Sequence, residues 1–328
     1  MNVLIVKLGA LGDIINTLPL AIALKDQLGA RIHWLVEPLS HPLLAAHEAV
    51  DHAILFDRKK GLRAMAGVLG ELRSHSFDLV LDLQRILKSG VISRAARGRR
   101  TVGFDRRRCK ELTWLLPFER IPPADPQRHM VHQYLDFAAH LALKETKVEW
   151  RIPDILPKPA DLPEAFVVMN IGATKKVNRW TVAGFASLAR MIHMRYGLQS
   201  VLTGGREDVP MAQSISAAAG DAVCDKVGQT SLMELVSLLN AGWVVVTCDT
   251  GPMHLAVALK KPVVALFGPS DHRRTGPYNG KVIRAKIDCR PCGRKKCRNP
   301  ICMDAIGAED VMKVLEDYLK TTEKESNR

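Results

Sequence analysis

One acidic residue stands out in the segment LGALGDI (8–14), where the apolar run NVLIVK (2–7) gives way to the helical pattern IINTLPLAIALKDQLG. Gly9 and Gly12 permit a tight turn that brings backbone N–H groups close to a ligand, and Asp13 follows them. A carboxylate there is a candidate general base. A residue immediately before a helix is equally a candidate N-cap. A second segment, CDTGPMHLA (248–256), follows the apolar strand WVVVT (243–247). Asp249 or Thr250 can cap the helix that starts there, Gly251 allows close approach, and Pro252 suits the first turn. The N–H groups of such a helix start also favour an anion, and His254, one turn in, can donate to a phosphate.

Other polar loops follow predicted strands. NIGATKKVNRW (170–180) offers the hydroxyl of Thr174 and the cations Lys175, Lys176 and Arg179. TGGRED (203–208) places Glu207 where it can accept hydrogen bonds from a ribose, and FGPSD (267–271) ends a later strand. Several such loops at one sheet edge point to a bound nucleotide. The chain has no G-x-G-x-x-G, P-loop, Asp-x-Asp, H-E-x-x-H or G-x-S-x-G pattern. A nucleotide diphosphate would therefore have its charge met by Lys, Arg and a helix end rather than by Mg²⁺.

These loops need strands and helices to carry them. Strands at RIHWLVE (31–37), HAILF (52–56) and FDLVLDL (77–83) alternate with helices, one of them over Leu62–Ser74. The proline-rich stretch WRIPDILPKPADLP (150–163) reads as a linker, and the same rhythm restarts at AFVVMNI (165–171). The second half continues with helices over Thr181–Arg195 and Pro210–Ala219, the strand PVVALFG (262–268) and a last helix from Ala308 to Leu319; the tail TTEKESNR reads as frayed. Alternation of this kind predicts α/β architecture with two Rossmann-like, doubly wound parallel sheets facing across a cleft. The expected domains are residues 1–155 and 156–328, with the final helix (308–320) packing back on the first.

A length of 328 residues and a hydrophobic content of 47% allow two cores of ordinary size. Lys7 and Asp13 interrupt the apolar start, which reads as a buried strand and loop rather than a signal peptide, and no run is long enough to span a membrane. A cytoplasmic protein is expected. A formal net charge of +13 favours polyanionic partners. The excess is concentrated from Arg94 to Lys110 and again from Lys281 to Arg298. The second cluster overlaps Cys289, Cys292, Cys297 and Cys302, whose spacing fits a structural zinc knuckle. A basic zinc-knuckle protein that binds nucleic acid is the alternative of a different class. Two α/β domains and an aromatic content of only 5% speak against it, and no nucleic-acid partner is expected.

Taken together, VKLGALGDIINTLP, FDLVLDLQRILKSG, NIGATKKVNRW and CDTGPMHLAVALKKPVVALFGPSD resemble the ADP-heptose–lipopolysaccharide heptosyltransferases, glycosyltransferase family nine. The likeness extends over nearly the whole chain. It implies a GT-B architecture, with the acceptor on the first domain and the sugar-nucleotide donor mainly on the second. It also implies inverting, metal-independent transfer of heptose from ADP-heptose to the Kdo/heptose inner core of lipopolysaccharide, with no cofactor required. Asp13 then matches the catalytic base. Asp249, Thr250, Gly251 and His254 match the donor-diphosphate motif, and Thr174 and Glu207 match donor-binding positions. Gly9, Gln84, Lys88, Lys110 and His129 fall in acceptor-facing segments. Asn178 departs from the family's lysine before the tryptophan, leaving Lys175, Lys176 or Arg179 to supply that charge; Leu8 and Ala10 depart in the first loop. The anionic acceptor, lipid A with its core, implies peripheral association with the cytoplasmic face of the inner membrane. Another nucleotide-sugar transferase on the same scaffold is the nearer alternative.

Overall fold

The structure, a computed structural model, describes residues 1–285, 287–288, 291–294, 297–298 and 301–326. The chain divides into two compact units, Met1–Pro153 and Asp154–Arg328, against the expected boundary at 155/156.

The first unit runs β1 (Asn2–Val6), α1 (Leu11–Leu28), β2 (Arg31–Val36), α2 (His41–Ala45), β3 (His52–Leu55), α3 (Gly61–Ser74), β4 (Leu79–Asp82), α4 (Leu87–Ala95), β5 (Arg100–Gly103), β6 (Glu119–Arg120) and α5 (Met130–His140). All its strand pairs are parallel, in the order β3-β2-β1-β4-β5-β6. Strands covered on both faces read as continuous apolar runs, and Val3, Leu4, Ile5 and Val6 of β1 are fully buried. The chain leaves β1 toward β2 on one side and returns to β4 on the other. Val6 is therefore flanked by Leu35 and Asp82, and the loops after β1 and β4 part at that point. In open α/β sheets this reversal is where ligands sit. Gly29, in the left-handed region at φ 57°, ends α1, and α5 packs along α1.

The second unit repeats the plan: β7 (Phe166–Asn170), α6 (Val182–Tyr196), β8 (Gln199–Thr203), α7 (Val209–Ala219), β9 (Val223–Asp225), α8 (Leu232–Ala241), β10 (Val245–Cys248), α9 (Gly251–Ala258), β11 (Val263–Phe267), α10 (His272–Thr275), β12 (Lys281–Arg284), α11 (Ile301–Asp304) and α12 (Ala308–Ser326). Its parallel order is β12-β11-β10-β7-β8-β9, so the reversal lies between β7 and β10. Thr181 caps α6 by accepting the Gly184 N–H, and Ser231 with Glu234 forms a reciprocal capping box on α8.

Two expectations need correction. Asp13 does not cap α1: the helix begins at Leu11, with Ala10 as N-cap, so Asp13 lies in its first turn. The final helix belongs to the second unit. Val311, Met312, Leu315 and Leu319 enter the core of the second unit beside Trp180 and Phe185 of the α6 region, because an apolar stripe at this spacing lies on one helix face. The residues read as a frayed tail continue that helix to Ser326. Replacing Leu315, fully buried, by alanine should lower unfolding stability in urea by about 2–5 kcal/mol. A change below about 0.5 kcal/mol, the range of surface substitutions, would show that α12 is not held in this core.

Candidate functional site

The first unit assembles a carboxylate, an ammonium and a phenol at its strand reversal. Lys7 leaves β1 with its side chain only 1% exposed, and its Nζ donates to Asp13 Oδ2 at 2.9 Å. Tyr134, buried on α5, donates its hydroxyl to Asp13 Oδ1 at 3.1 Å. The Asp13 side chain is nevertheless 34% exposed. Burial works against ionisation of Asp13. It is outweighed by the Lys7 charge and hydrogen bond, the Arg85 guanidinium and the Tyr134 hydroxyl, which together hold the carboxyl below the usual carboxylate range. Burial likewise works against the charge on Lys7, but Asp13 and Tyr134 raise its pKa. For Tyr134, burial and the Asp13 charge push the phenol up, so it stays a donor.

The surrounding loop is braced from below. Trp34 Nε1 donates to Lys7 O at 3.0 Å, and Gln84 Oε1 accepts the Leu8 N–H at 3.1 Å. Gln84 thus ties the two diverging loops together. Behind it Asp82, buried at the end of β4, accepts from Ser89 Oγ at 2.9 Å and from the Gln84 N–H at 3.2 Å; burial pushes its carboxyl up to about 6. Gly9 is half-buried beside Glu37. Lys88 is exposed on α4, with its ammonium 5.8 Å from the Phe56 ring centre. Lys110 is exposed, its backbone N–H donating to Arg85 O at 3.1 Å. His129 is the N-cap of α5, its Nδ1 accepting the Val131 N–H at 3.3 Å on the helix that carries Tyr134.

The basic run from Arg94 to Lys110 is not one open surface. Arg108 is buried, bonded to Asp105 and, at 2.5 Å, to Asp136. Arg100 pairs with Glu119 at 2.9 Å, and Arg106 lies 4.3 Å over the Trp114 ring. Sequence reasoning passed over β5 because this strand begins inside a run of arginines.

In the second unit Asn178, only 3% exposed, donates Nδ2 to Asp249 Oδ2 at 3.1 Å and to Ser270 Oγ at 3.2 Å. One amide thus joins the loops after β7, β10 and β11. Neither Thr250 nor Asp249 caps α9 with its side chain as expected: Thr250 is the N-cap residue but makes no side-chain cap bond, and Asp249 is turned to Asn178 and Ser270. Burial pushes the Asp249 carboxyl up, against Ser270, the Lys175 charge and Asn178. Gly251 opens α9, and His254 is buried in its first turn. Thr174 and Lys176 are exposed, and Lys175 is half-buried.

Arg179 does not stand open to an anion: it pairs with the buried Asp208 at 2.5 Å. Asp208 also accepts the Gly205 N–H at 2.9 Å. It fits only because residue 172 is glycine, since a Cβ there would lie 2.5 Å from Asp208 Oδ2. Exposed Glu207 sits in the turn that this aspartate anchors.

Of the cysteines, Cys289 lies outside the described residues; Cys292 and Cys297 are exposed, and Cys302 is buried in the core of the second unit. Among the described residues no group of three metal-ligating side chains is arranged to hold an ion, and no helix is long and apolar enough to cross a membrane.

Two parallel sheets in Rossmann order, each with polar loops at its strand reversal, form a GT-B architecture. Residues 66–302 match glycosyltransferase family 9 (heptosyltransferase), and the chain belongs to that family; it is a glycosyltransferase. It is 27% identical to lipopolysaccharide heptosyltransferase 1 of Pseudomonas aeruginosa, covering 98% of this chain and 99% of that one. The glycosyl transferase family 9 structure from Veillonella parvula is similar in fold, with a TM-score of 0.84 at 21% identity over 98% of this chain and 97% of that one. The structure of E. coli heptosyltransferase WaaC with ADP-2-deoxy-2-fluoro heptose gives a TM-score of 0.77 at 25% identity, covering 97% and 99% of the two chains.

Lys7 and Tyr134 had not been singled out as site residues. The signal for Lys7 was a lone cation ending an apolar strand; Tyr134, so distant in sequence, gave none. Because the Asp13 pKa is depressed in the fold, its ionisation stabilises the protein above the unfolded carboxylate pKa. That stabilisation is lost as pH falls through the folded value. Replacing Lys7 by methionine should move the Asp13 carboxyl midpoint, followed by ¹³C NMR, up by about one unit or more. An unchanged midpoint would remove Lys7 from the control of this carboxylate.

Proposed function

We propose that this chain transfers heptose from ADP-heptose to the inner core of lipopolysaccharide, with inversion and without a metal. The observation that carries the reading is an ionised, partly exposed Asp13 held by Lys7 and Tyr134 in a family 9 chain. The Pseudomonas aeruginosa relative is a lipopolysaccharide heptosyltransferase, and one neighbouring structure holds an ADP-heptose analogue.

In this account Asp13 takes the proton of an acceptor hydroxyl as its oxygen forms a bond to the anomeric carbon. The bond from that carbon to the diphosphate breaks on the opposite face, and ADP leaves with the electron pair. Lys7 and Tyr134 keep the carboxylate charged and aimed before the proton arrives. The N–H groups opening α9 and the ammonium of Lys175 offer positive potential for the diphosphate. Lys176 and the Thr174 hydroxyl add donors at the same strand ends, and Glu207 is the ribose acceptor. Gly9, Lys88, Lys110 and His129 form the acceptor side, with Gln84 bracing it. Such an acceptor is carried on a membrane, which implies peripheral attachment at the cytoplasmic face.

Asp13→Asn, which keeps a partner for Lys7 and Tyr134, should lower the transfer rate about 10²–10⁴-fold while ADP still raises the melting temperature as in the native chain. Unreduced turnover would remove Asp13 as the base. A larger thermal shift with UDP or GDP than with ADP would overturn the donor assignment.

A further inference from the structure

The first unit carries an apolar ridge that its own core does not use. On α4, Leu87 and Val91 are 49% and 53% exposed, and between β5 and β6 Leu112 and Leu115 are 61% and 63% exposed. The two pieces are adjacent. Glu111 Oε2 accepts the Leu87 N–H at 3.1 Å, and Leu116 lies so close over Gly90 that a Cβ there would come within 2.2 Å.

The loop that carries Leu112 and Leu115 has an uncommon backbone conformation. Glu111 and Leu112 have φ of 49° and 59°, a left-handed pair without glycine. Arg120 clamps the loop, its Nη2 donating to Thr113 O and Leu116 O at 2.7 Å each. Exposed basic residues rim the ridge. Lys88 and Arg94 flank Leu87 and Val91 on α4, while Arg106, Arg107 and Lys110 lead into the loop. Arg106 stacks on half-buried Trp114 beside Leu115.

Exposed leucines and valine within a cationic rim match an anionic bilayer, whose headgroups meet the cations while the acyl boundary takes the apolar side chains. We propose that the Leu87–Val91 face of α4 and the Leu112–Leu115 turn dock this chain on an anionic lipid bilayer. The proposal deepens the functional reading, which names a lipid-borne acceptor. It adds a specific inserted ridge to the basic patch, of which Arg108 is buried in its own ion pairs and Arg100 is paired with Glu119 at the surface.

The test is co-sedimentation of the full chain with phosphatidylcholine vesicles, with and without phosphatidylglycerol, for the native protein and Leu112→Ser/Leu115→Ser. The native chain should bind the mixed vesicles at least about tenfold more tightly than the neutral ones, and the double variant should lose about tenfold on the mixed vesicles. Its thermal shift with ADP and its transfer to a delipidated core acceptor should be unchanged, which excludes misfolding. Equal vesicle binding by variant and native, no preference for anionic vesicles, or a dimer of the native chain dissolved by the same substitutions would overturn the proposal. Vesicle binding as expected without any transfer by the native chain would support the ridge and overturn the functional reading.

Discussion

A buried ammonium without a counter-charge would cost several kcal/mol, and Lys7 ends β1 in that position. The segment from Lys7 to Asp13 is organised around meeting that charge. It turns through Gly9, starts α1 at Leu11, and delivers a carboxylate one turn into the helix, 2.9 Å from Nζ. The same pair that makes the fold tolerable keeps the carboxylate ionised, and the positive end of α1 adds to this. Tyr134 completes the arrangement only because α5 packs along α1. In the first unit one ion pair therefore both neutralises the buried Lys7 and keeps Asp13 ionised.

The second unit solves a different problem, the alignment of several loops that follow separate strands. It does so mainly with neutral or internally paired groups. Asn178 links Asp249 to Ser270, and Asp208 occupies the space left by Gly172 while neutralising Arg179. The consequence for ligand binding is specific. Among the cations at these strand ends, Arg179 is paired with Asp208, while the Lys175 charge acts on the Asp249 carboxyl.

Much of this was legible in the sequence, for physical reasons. Strands buried on both faces have to be apolar runs, so β1, β7, β10 and β11 announce themselves, and the loops after them carry Asp13, Thr174 and Asp249. The strands β5 and β12 hid because Arg100 and Lys281 open them and the surrounding residues are basic; pairing with neighbouring strands, rather than propensity, decides such segments. Asp13 was recognisable as a carboxylate at a strand-to-helix turn, but not as the partner of Lys7, since a contact through a turn of unknown geometry has no periodic signature. Tyr134 and Asp208 were invisible for the same reason on a longer scale. The division of the Arg94–Lys110 cluster into buried, paired and exposed members likewise depends on Asp136 and Glu119, which no local pattern connects to it.

Displacement by a hydroxyl activated at Asp13, with ADP leaving from the opposite face, makes a statement about stereochemistry that one experiment reads directly. ADP-heptose and a truncated inner-core acceptor are incubated with the chain, and the anomeric configuration of the new glycosidic bond is read by NMR coupling constants. The account predicts release of ADP with a product of configuration opposite to the donor. A product that retains the donor configuration would contradict it.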